Sequence, residues 1–288
     1  MYVVAGVSGN TGKVVADTLL ASKQAVRVIV RSADKGAPWR ERGAEVAVAE
    51  LDDVAALGRA LAGAKGAYLL LPPQYASTDT RSDNARRTAG FVKAVDASSI
   101  PSVVFLSSVG AQHEGGTGPI TSLHDAEVAL RRSRASVTFV RAAYFMENWG
   151  GSLHGLAQGK LPTFLRADRT IPMVAAADIG RTAATALLEA TGKGHSVLEL
   201  FGPRDYSPRD VAEALGRVVG KTIVTEQGPE EAMVPALTAA GLNAHWAGLF
   251  QELTHGCNVG HVAFEGGAAR PLRGKVEIDV VLRSLVGA

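Results

Sequence analysis

The chain has 288 residues, 47% of them hydrophobic and 20% charged, with 30 Lys and Arg against 28 Asp and Glu and a formal net charge of +2. That length buries a full core and holds one large α/β domain or one and a half, and the near balance of charge, with no basic block of the kind that tracks phosphate backbones, excludes a nucleic-acid partner. The single cysteine, Cys257, excludes an intramolecular disulfide and suits a reducing cytoplasm.

Val3-Val4-Ala5 reads as a short buried strand, and the early start of this apolar run leaves no room for a signal peptide. No apolar stretch approaches the length of a membrane span, so a cytoplasmic protein without a membrane partner is expected. The strand runs into Gly6-Val7-Ser8-Gly9-Asn10-Thr11-Gly12, and residues from Thr11 to Leu20 have helical spacing. A helix N-terminus leaves backbone N–H groups unpaired, and a turn without Cβ atoms lets a pyrophosphate approach them. Gly6 is assigned the tight turn, Gly9 the close approach and Gly12 the contact between helix and sheet. The spacing is GxxGxxG rather than GxGxxG. Its place between a strand and a helix distinguishes a dinucleotide site from a glycine-rich structural loop.

A second β-branched run, Val26–Val30, follows at βαβ distance. Where an NAD site usually places an acidic residue for the ribose 2′-OH, this chain has Arg31, with Lys35 one helical turn on. A guanidinium clasps a 2′-phosphate through paired charge-assisted hydrogen bonds, which favours NADP(H); the competing reading is a solvated arginine at a strand end. Next come a helix near Ala33–Arg42, a strand Glu45–Glu50, a helix Val54–Ala62 and a strand Gly66–Leu71. Arg81–Ala97 reads as a long helix, Val103–Ser107 as a strand, Leu123–Arg134 as a helix and Val137–Val140 as a strand. Near-continuous apolar strands between helices imply an α/β fold: a Rossmann doubly wound parallel sheet over residues 1–150.

Beyond Arg141 the pattern becomes irregular, and prolines interrupt shorter elements. A smaller C-terminal α/β lobe is expected over residues 151–288, with the chain crossing between lobes and covering the carboxyl ends of the strands. Within it, Ser207 reads as the N-cap and Pro208 as the first residue of a helix. No heptad seam fixes an oligomeric state.

Taken in order, the Gly6–Gly12 turn, Val30–Lys35, Leu51-Asp52, Leu69–Pro73, Phe105–Ala111, His124–Glu127 and Val140–Asn148 resemble the NmrA-like branch of the atypical short-chain dehydrogenases and reductases. The resemblance covers nearly the whole chain. It implies that Asp52 borders the adenine, that Leu71 and Pro72 pass beside the nicotinamide-side ribose, and that Ser107 and the segment Ala143, Tyr144 and Phe145 border the nicotinamide. For Asp52, capping of the helix near Val54 is an equal alternative.

Short-chain alcohol dehydrogenases use a Tyr-x-x-x-Lys pair, which this chain lacks. Tyr2, Tyr68, Tyr75, Tyr144 and Tyr206 are followed four residues later by Gly6, Pro72, Asp79, Asn148 and Asp210. The corresponding helix carries His124 and Glu127, one helical turn apart, where Glu127 is placed to orient the imidazole; His124 is the candidate proton donor, with a surface His–Glu pair as the alternative. His113 falls in a Gly-rich stretch and is expected to be exposed on a loop. Arg141 reads as a structural tie at a strand end. Phe145, Asn148 and Trp149 are candidate substrate contacts, and Phe145 and Trp149 also fit ordinary core packing. No histidine or cysteine spacing supports a metal site.

Two functions from different classes follow. The first is NADPH-dependent hydride transfer to a quinone-like, azo or other conjugated small-molecule acceptor that needs little acid catalysis, as relatives in this branch perform. The second is an NADP(H)-binding regulator that acts on a protein partner.

Overall fold

The computed structural model describes residues 1–191 and 193–287. The first half alternates strands and helices: β1 (Tyr2–Val4), α1 (Asn10–Ala21), β2 (Val26–Val30), α2 (Ala33–Glu41), β3 (Glu45–Val48), α3 (Val54–Leu61), β4 (Gly66–Leu69), α4 (Thr80–Ser98), β5 (Ser102–Ser108), α5 (Thr121–Leu130) and β6 (Ser136–Ala142). It continues with β7 (Tyr144–Phe145), a 3₁₀ segment Met146–Gln158, β8 (Lys160–Thr163), β9 (Ile171–Val174), α6 (Ala176–Glu189), β10 (His195–Phe201), β11 (Asp205–Tyr206) and α7 (Pro208–Val219). The last part holds β12 (Val224–Gln227), α8 (Met233–Ala239), α9 (Ala244–Val259), β13 (Arg270–Arg273) and α10 (Ile278–Val286).

Eight strands form one sheet in the order β13-β10-β6-β5-β4-β1-β2-β3, and every pairing in it is parallel. This is the Rossmann-like, doubly wound α/β arrangement expected from the sequence. Strand order reverses between β1 and β4, and that switch point opens a crevice at the strands' carboxyl ends. Period-two alternation sends Val3, Ala5, Ile29, Leu69, Phe105 and Phe139 to a core shared with α3, α4 and α5. Val4, Val28, Val30, Tyr68 and Val140 face a second core, shared with α1 and α6. Both faces are dry, which is why the strands read as continuous apolar runs.

Among the described residues after 150, β10 and β13 extend the large sheet and α6 packs along α1, while β8, β9, β11 and β12 enter two small sheets, β11-β9-β7 and β12-β8. A third core joins Met146, Leu161, Tyr206, Leu215 and Leu282. α7 begins as its sequence implies: the Ser207 hydroxyl accepts from the Asp210 N–H, Asp210 accepts from the Ser207 N–H, and Pro208 stands at the first helical position.

Several boundaries differ from the sequence reading; β3, for one, ends at Val48 rather than Glu50. β4 ends at Leu69 rather than Leu71, because Pro72 and Pro73 cannot extend a ladder. α5 ends at Leu130 rather than Arg134, its chain tightening as Arg132 and Ser133 donate to Ala129 and Leu130. β6 runs on through Arg141 to Ala142. Among the described residues no helix is long and apolar enough to cross a membrane.

Candidate active site

The glycine turn lies at the switch point. Gly6 has φ +68°, and a Cβ there would stand 2.7 Å from Leu70 Cδ2, so only glycine makes this turn without strain. At Gly12 a Cβ would stand 2.6 Å from the Ala5 carbonyl oxygen and closer still to the Gly6 carbonyl. Both obstacles are backbone. Gly12→Ala is therefore expected to destabilise the fold by about 1–3 kcal/mol, read as a lowered urea midpoint. α1 starts after Gly9 with no side-chain cap and no acidic residue in its first turn. Ser8, Gly9 and Asn10 are exposed, while Thr11 is buried and accepts a hydrogen bond from the Tyr68 hydroxyl at 2.9 Å. The first N–H groups of this helix are thus open to an anion.

Beyond β2, Arg31 and Lys35 are exposed, and among the described residues neither joins an ion pair. Capping and pairing separate at the adjacent aspartates. Asp53 caps α3 by accepting from the Ala56 N–H at 2.9 Å. Asp52 is gripped by Arg87 of α4 through Nε and Nη2, and this hydrogen bonding holds its carboxyl below the usual carboxylate range. Leu71 and Pro72 follow β4 as half-buried loop residues.

The acid–base assignment drawn from the helix is corrected. Glu127 does not orient His124. It is 3% exposed and accepts from Arg141 Nε at 2.9 Å, from Arg141 Nη2 at 2.8 Å and from the Ser107 hydroxyl at 2.6 Å. Burial opposes the charge on Arg141, but Glu127 and Glu265 outweigh it and hold the guanidinium above its ordinary pKa. On α5, the residue at 127 faces the sheet while His124 turns toward the loop, its Nδ1 donating to the Ala111 carbonyl at 2.9 Å. His124 does not line the cavity described below. His113 is not a freely exposed loop residue either. It is half-buried and stacked on His261, with ring centroids 4.1 Å apart, and burial lowers its pKa first, with the neighbouring His261 adding to the effect.

A cavity of about 500 Å³, counting its open mouth, lies beside the ends of β5 and β6. Ser108, Val109, Ala143, Tyr144, Phe145 and Asn148 form its wall toward the sheet, and Ile120, Ile171, Pro172, Leu253, Cys257 and Val262 form the rest. None of these side chains is charged. Burial raises the pKa of the Tyr144 hydroxyl, with the neighbouring Asn148 side chain opposing the shift. The Cys257 thiol is pushed up to about 12, also by burial. Near neutral pH every group facing the cavity is therefore uncharged.

Trp149 is corrected as a substrate contact. It is 2% exposed, and its indole N–H points to the Met173 sulfur at 3.4 Å. The cause is local geometry: Met146–Gln158 is a 3₁₀ segment with about three residues per turn. Spacing of three rather than four keeps side chains on one face, so Phe145 and Asn148 reach the cavity together and Trp149 turns into the third core. The wall from α9 and the segment after it carried no sequence signal, because Leu253, Cys257 and Val262 are ordinary apolar residues until the fold brings them opposite Tyr144. Among the described residues no cluster of three or more His, Cys, Asp or Glu could hold a metal ion.

The chain is 29% identical over 242 residues to the (4-alkanoyl-5-oxo-2,5-dihydrofuran-3-yl)methyl phosphate reductase of Streptomyces griseus, covering 83% of this chain and 81% of that protein. It is 24% identical to quinone oxidoreductase 2 of Escherichia coli, over 90% of this chain and 89% of the relative. The solved structure of the E. coli NADPH-dependent quinone oxidoreductase complexed with NADPH superposes with a TM-score of 0.84 at 22% identity, covering 99% of this chain and 100% of that one. The Citrobacter triphenylmethane reductase superposes with a TM-score of 0.83 at 19% identity, covering 100% and 99%. At these identities the superpositions speak to fold. The NmrA-like family matches residues 2–256, and the chain belongs to that family.

Proposed function

We propose that the protein is an NADPH-dependent oxidoreductase that reduces a conjugated small-molecule acceptor, quinone-like or enone-like, without a Tyr–Lys pair. The observation that carries this reading is the uncharged cavity holding Tyr144 and Asn148 beside the crevice that begins at the glycine turn. The turn fits a dinucleotide: Gly6 and Gly12 leave no room for a Cβ, which lets the loop fold tightly under the helix, Gly9 leaves its outer side open, and the helix that follows has no side-chain cap. Ser8, Gly9, Asn10, Thr11 and Gly12 would hold the pyrophosphate, and Arg31 and Lys35 the 2′-phosphate. Asp52, Leu71, Pro72, Ser107 and Ala143 would border the rest of the cofactor.

When bound, the cofactor supplies a hydride. The protein's part is to orient the acceptor and keep water away. Phe145 and the aliphatic walls favour a flat apolar ring, while the Tyr144 hydroxyl, with Asn148 beside it in the cavity wall, donates to the acceptor oxygen as charge develops on it. The names of the relatives agree with this chemistry, since a quinone and an alkanoyl-oxo-dihydrofuran both carry a carbonyl conjugated to a carbon that accepts hydride. His124, held through Nδ1 and outside the cavity wall, is given a supporting role at the Ala111 turn rather than proton donation.

The test is NADPH oxidation by the purified protein against quinones, azo dyes and conjugated enones, with NADH in parallel. Turnover with preference for NADPH is the expected result. Arg31→Ala is expected to cut that preference about tenfold, the scale of one lost charge-assisted hydrogen bond, with NADH turnover unchanged. Tight NADPH binding with no oxidation by any acceptor would replace the enzyme reading with that of a regulator acting on a protein partner.

A further inference from the structure

We infer that Arg169 forms an anion subsite at the edge of the cavity, so that the preferred acceptor is a conjugated carbonyl compound bearing a phosphate, sulfonate or carboxylate tail. This rests on the function proposed above and narrows its substrate class.

Arg169 precedes Ile171, one wall of the cavity, by two residues. In space it lies over Gly260, between Cys257 and Val262, which form the opposite wall. Gly260 caps α9 in the left-handed region with φ +81°, and a Cβ there would stand 2.5 Å from Arg169 Nη2. The glycine therefore leaves the guanidinium room to lie against the backbone. Arg169 is exposed, and among the described residues it joins no ion pair. The nearby carboxylate of Asp168 pairs instead with Arg166 at 3.8 Å. The positive charge is felt inside the wall, since Arg169 acts to lower the Cys257 pKa against the larger effect of burial. No side chain lining the cavity is charged, so a cation beside its wall, as Arg169 is, would distinguish an anionic acceptor from a neutral one of the same ring.

A guanidinium at a helix C-terminus also interacts favourably with the helix dipole. The experiment must therefore separate anion binding from capping. 1,4-Naphthoquinone and 1,4-naphthoquinone-2-sulfonate are compared as acceptors for the wild type, Arg169→Ala and Arg169→Lys, with NADPH saturating. Each variant is referred to the wild type on the same acceptor, so the different reactivities of the two quinones cancel.

The expected result is a KM for the sulfonate raised about tenfold in Arg169→Ala, the scale of one lost charge-assisted hydrogen bond. Its kcat should be unchanged, the neutral quinone should be altered less than twofold, and Arg169→Lys should recover most of the loss. The sulfonate effect should shrink at high salt. Equal losses on both acceptors, or none on either, would overturn the subsite and leave the reductase reading standing. No turnover of either acceptor by the wild type would count against the reductase reading. In that case quenching of tryptophan fluorescence by each quinone, with NADP⁺ present, makes the same comparison by affinity.

Discussion

Replacing Arg141 with alanine is expected to destabilise the protein by about 3–5 kcal/mol, the cost of stranding one member of a buried ion pair. Arg141 and Glu127 are 4% and 3% exposed, and two hydrogen bonds join them. Without the guanidinium, Glu127 keeps the Ser107 hydroxyl and a distant Arg131 at 3.6 Å, too little to compensate a buried carboxylate. The loss would also release Glu265, which Arg141 Nη1 holds at 2.6 Å. Glu265 belongs to the segment that carries Val262 into the cavity wall. Urea unfolding measures the first effect. The control is Glu127→Leu with Arg141→Met, which removes both charges and is expected to recover most of the stability, because apolar replacement of an entire buried pair is often neutral. A loss below about 1 kcal/mol in Arg141→Ala, the scale of an exposed pair, would show that water reaches Glu127.

The same residue explains where the sequence was legible and where it was not. The parallel sheet could be read because its central strands β1, β4 and β5 are apolar on both faces and the helices between the strands have a period of their own; Gly6, Gly12, Ser207 and Asp53 announce local geometry through local chemistry. Arg141 defeated that logic. A charged residue after Val137–Val140 looks like a strand end, yet β6 continues through it because Glu127, fourteen residues earlier in the chain, neutralises it in the core. Glu127 in turn seemed free to serve His124, since a helical spacing of three states that two side chains are near each other but not which of them faces the sheet. Trp149 failed for a related reason: the segment after Phe145 is a 3₁₀ turn packed against β8 and α10, and an apolar residue four positions on does not distinguish that turn from an α-helical one. β10 and β13 return to the large sheet from a region rich in proline and glycine, and long-range pairing of that kind leaves little local signal. The far wall of the cavity depends on this return, so the cofactor half of the site could be proposed from the sequence while the acceptor half required the fold.

Tyr144→Phe is expected to reduce kcat for quinone acceptors about a hundredfold, the scale seen when one donor to a developing oxyanion is removed. The substitution deletes a single oxygen from a side chain whose ring packs between the cavity and Trp149, with ring centroids 6.4 Å apart. Stability and NADPH affinity should therefore be retained. Asn148→Ala should cost less, because it leaves the hydroxyl in place and removes only a polar neighbour in the cavity wall. The chemistry supplies a sharper control. Reduction of a quinone to its hydroquinone takes up a hydride and a proton, and an oxygen bears the intermediate charge. Hydride addition to the central carbon of a cationic triphenylmethane dye gives a neutral product and calls for no proton. If Tyr144 acts on the acceptor oxygen, Tyr144→Phe should impair the quinone reaction and leave any dye reaction within about twofold, a change small against the loss predicted for an oxyanion donor. Equal loss on both would mean that the hydroxyl supports the shape of the cavity rather than acting on the acceptor oxygen. The pH profile adds a second criterion. Burial raises the Tyr144 pKa above its ordinary value of 10.0, so the neutral, donating hydroxyl persists above that pH. The wild-type quinone reaction should accordingly show no alkaline loss near pH 10 arising from this residue, whereas a solvent-exposed tyrosine in the same role would begin to switch off there.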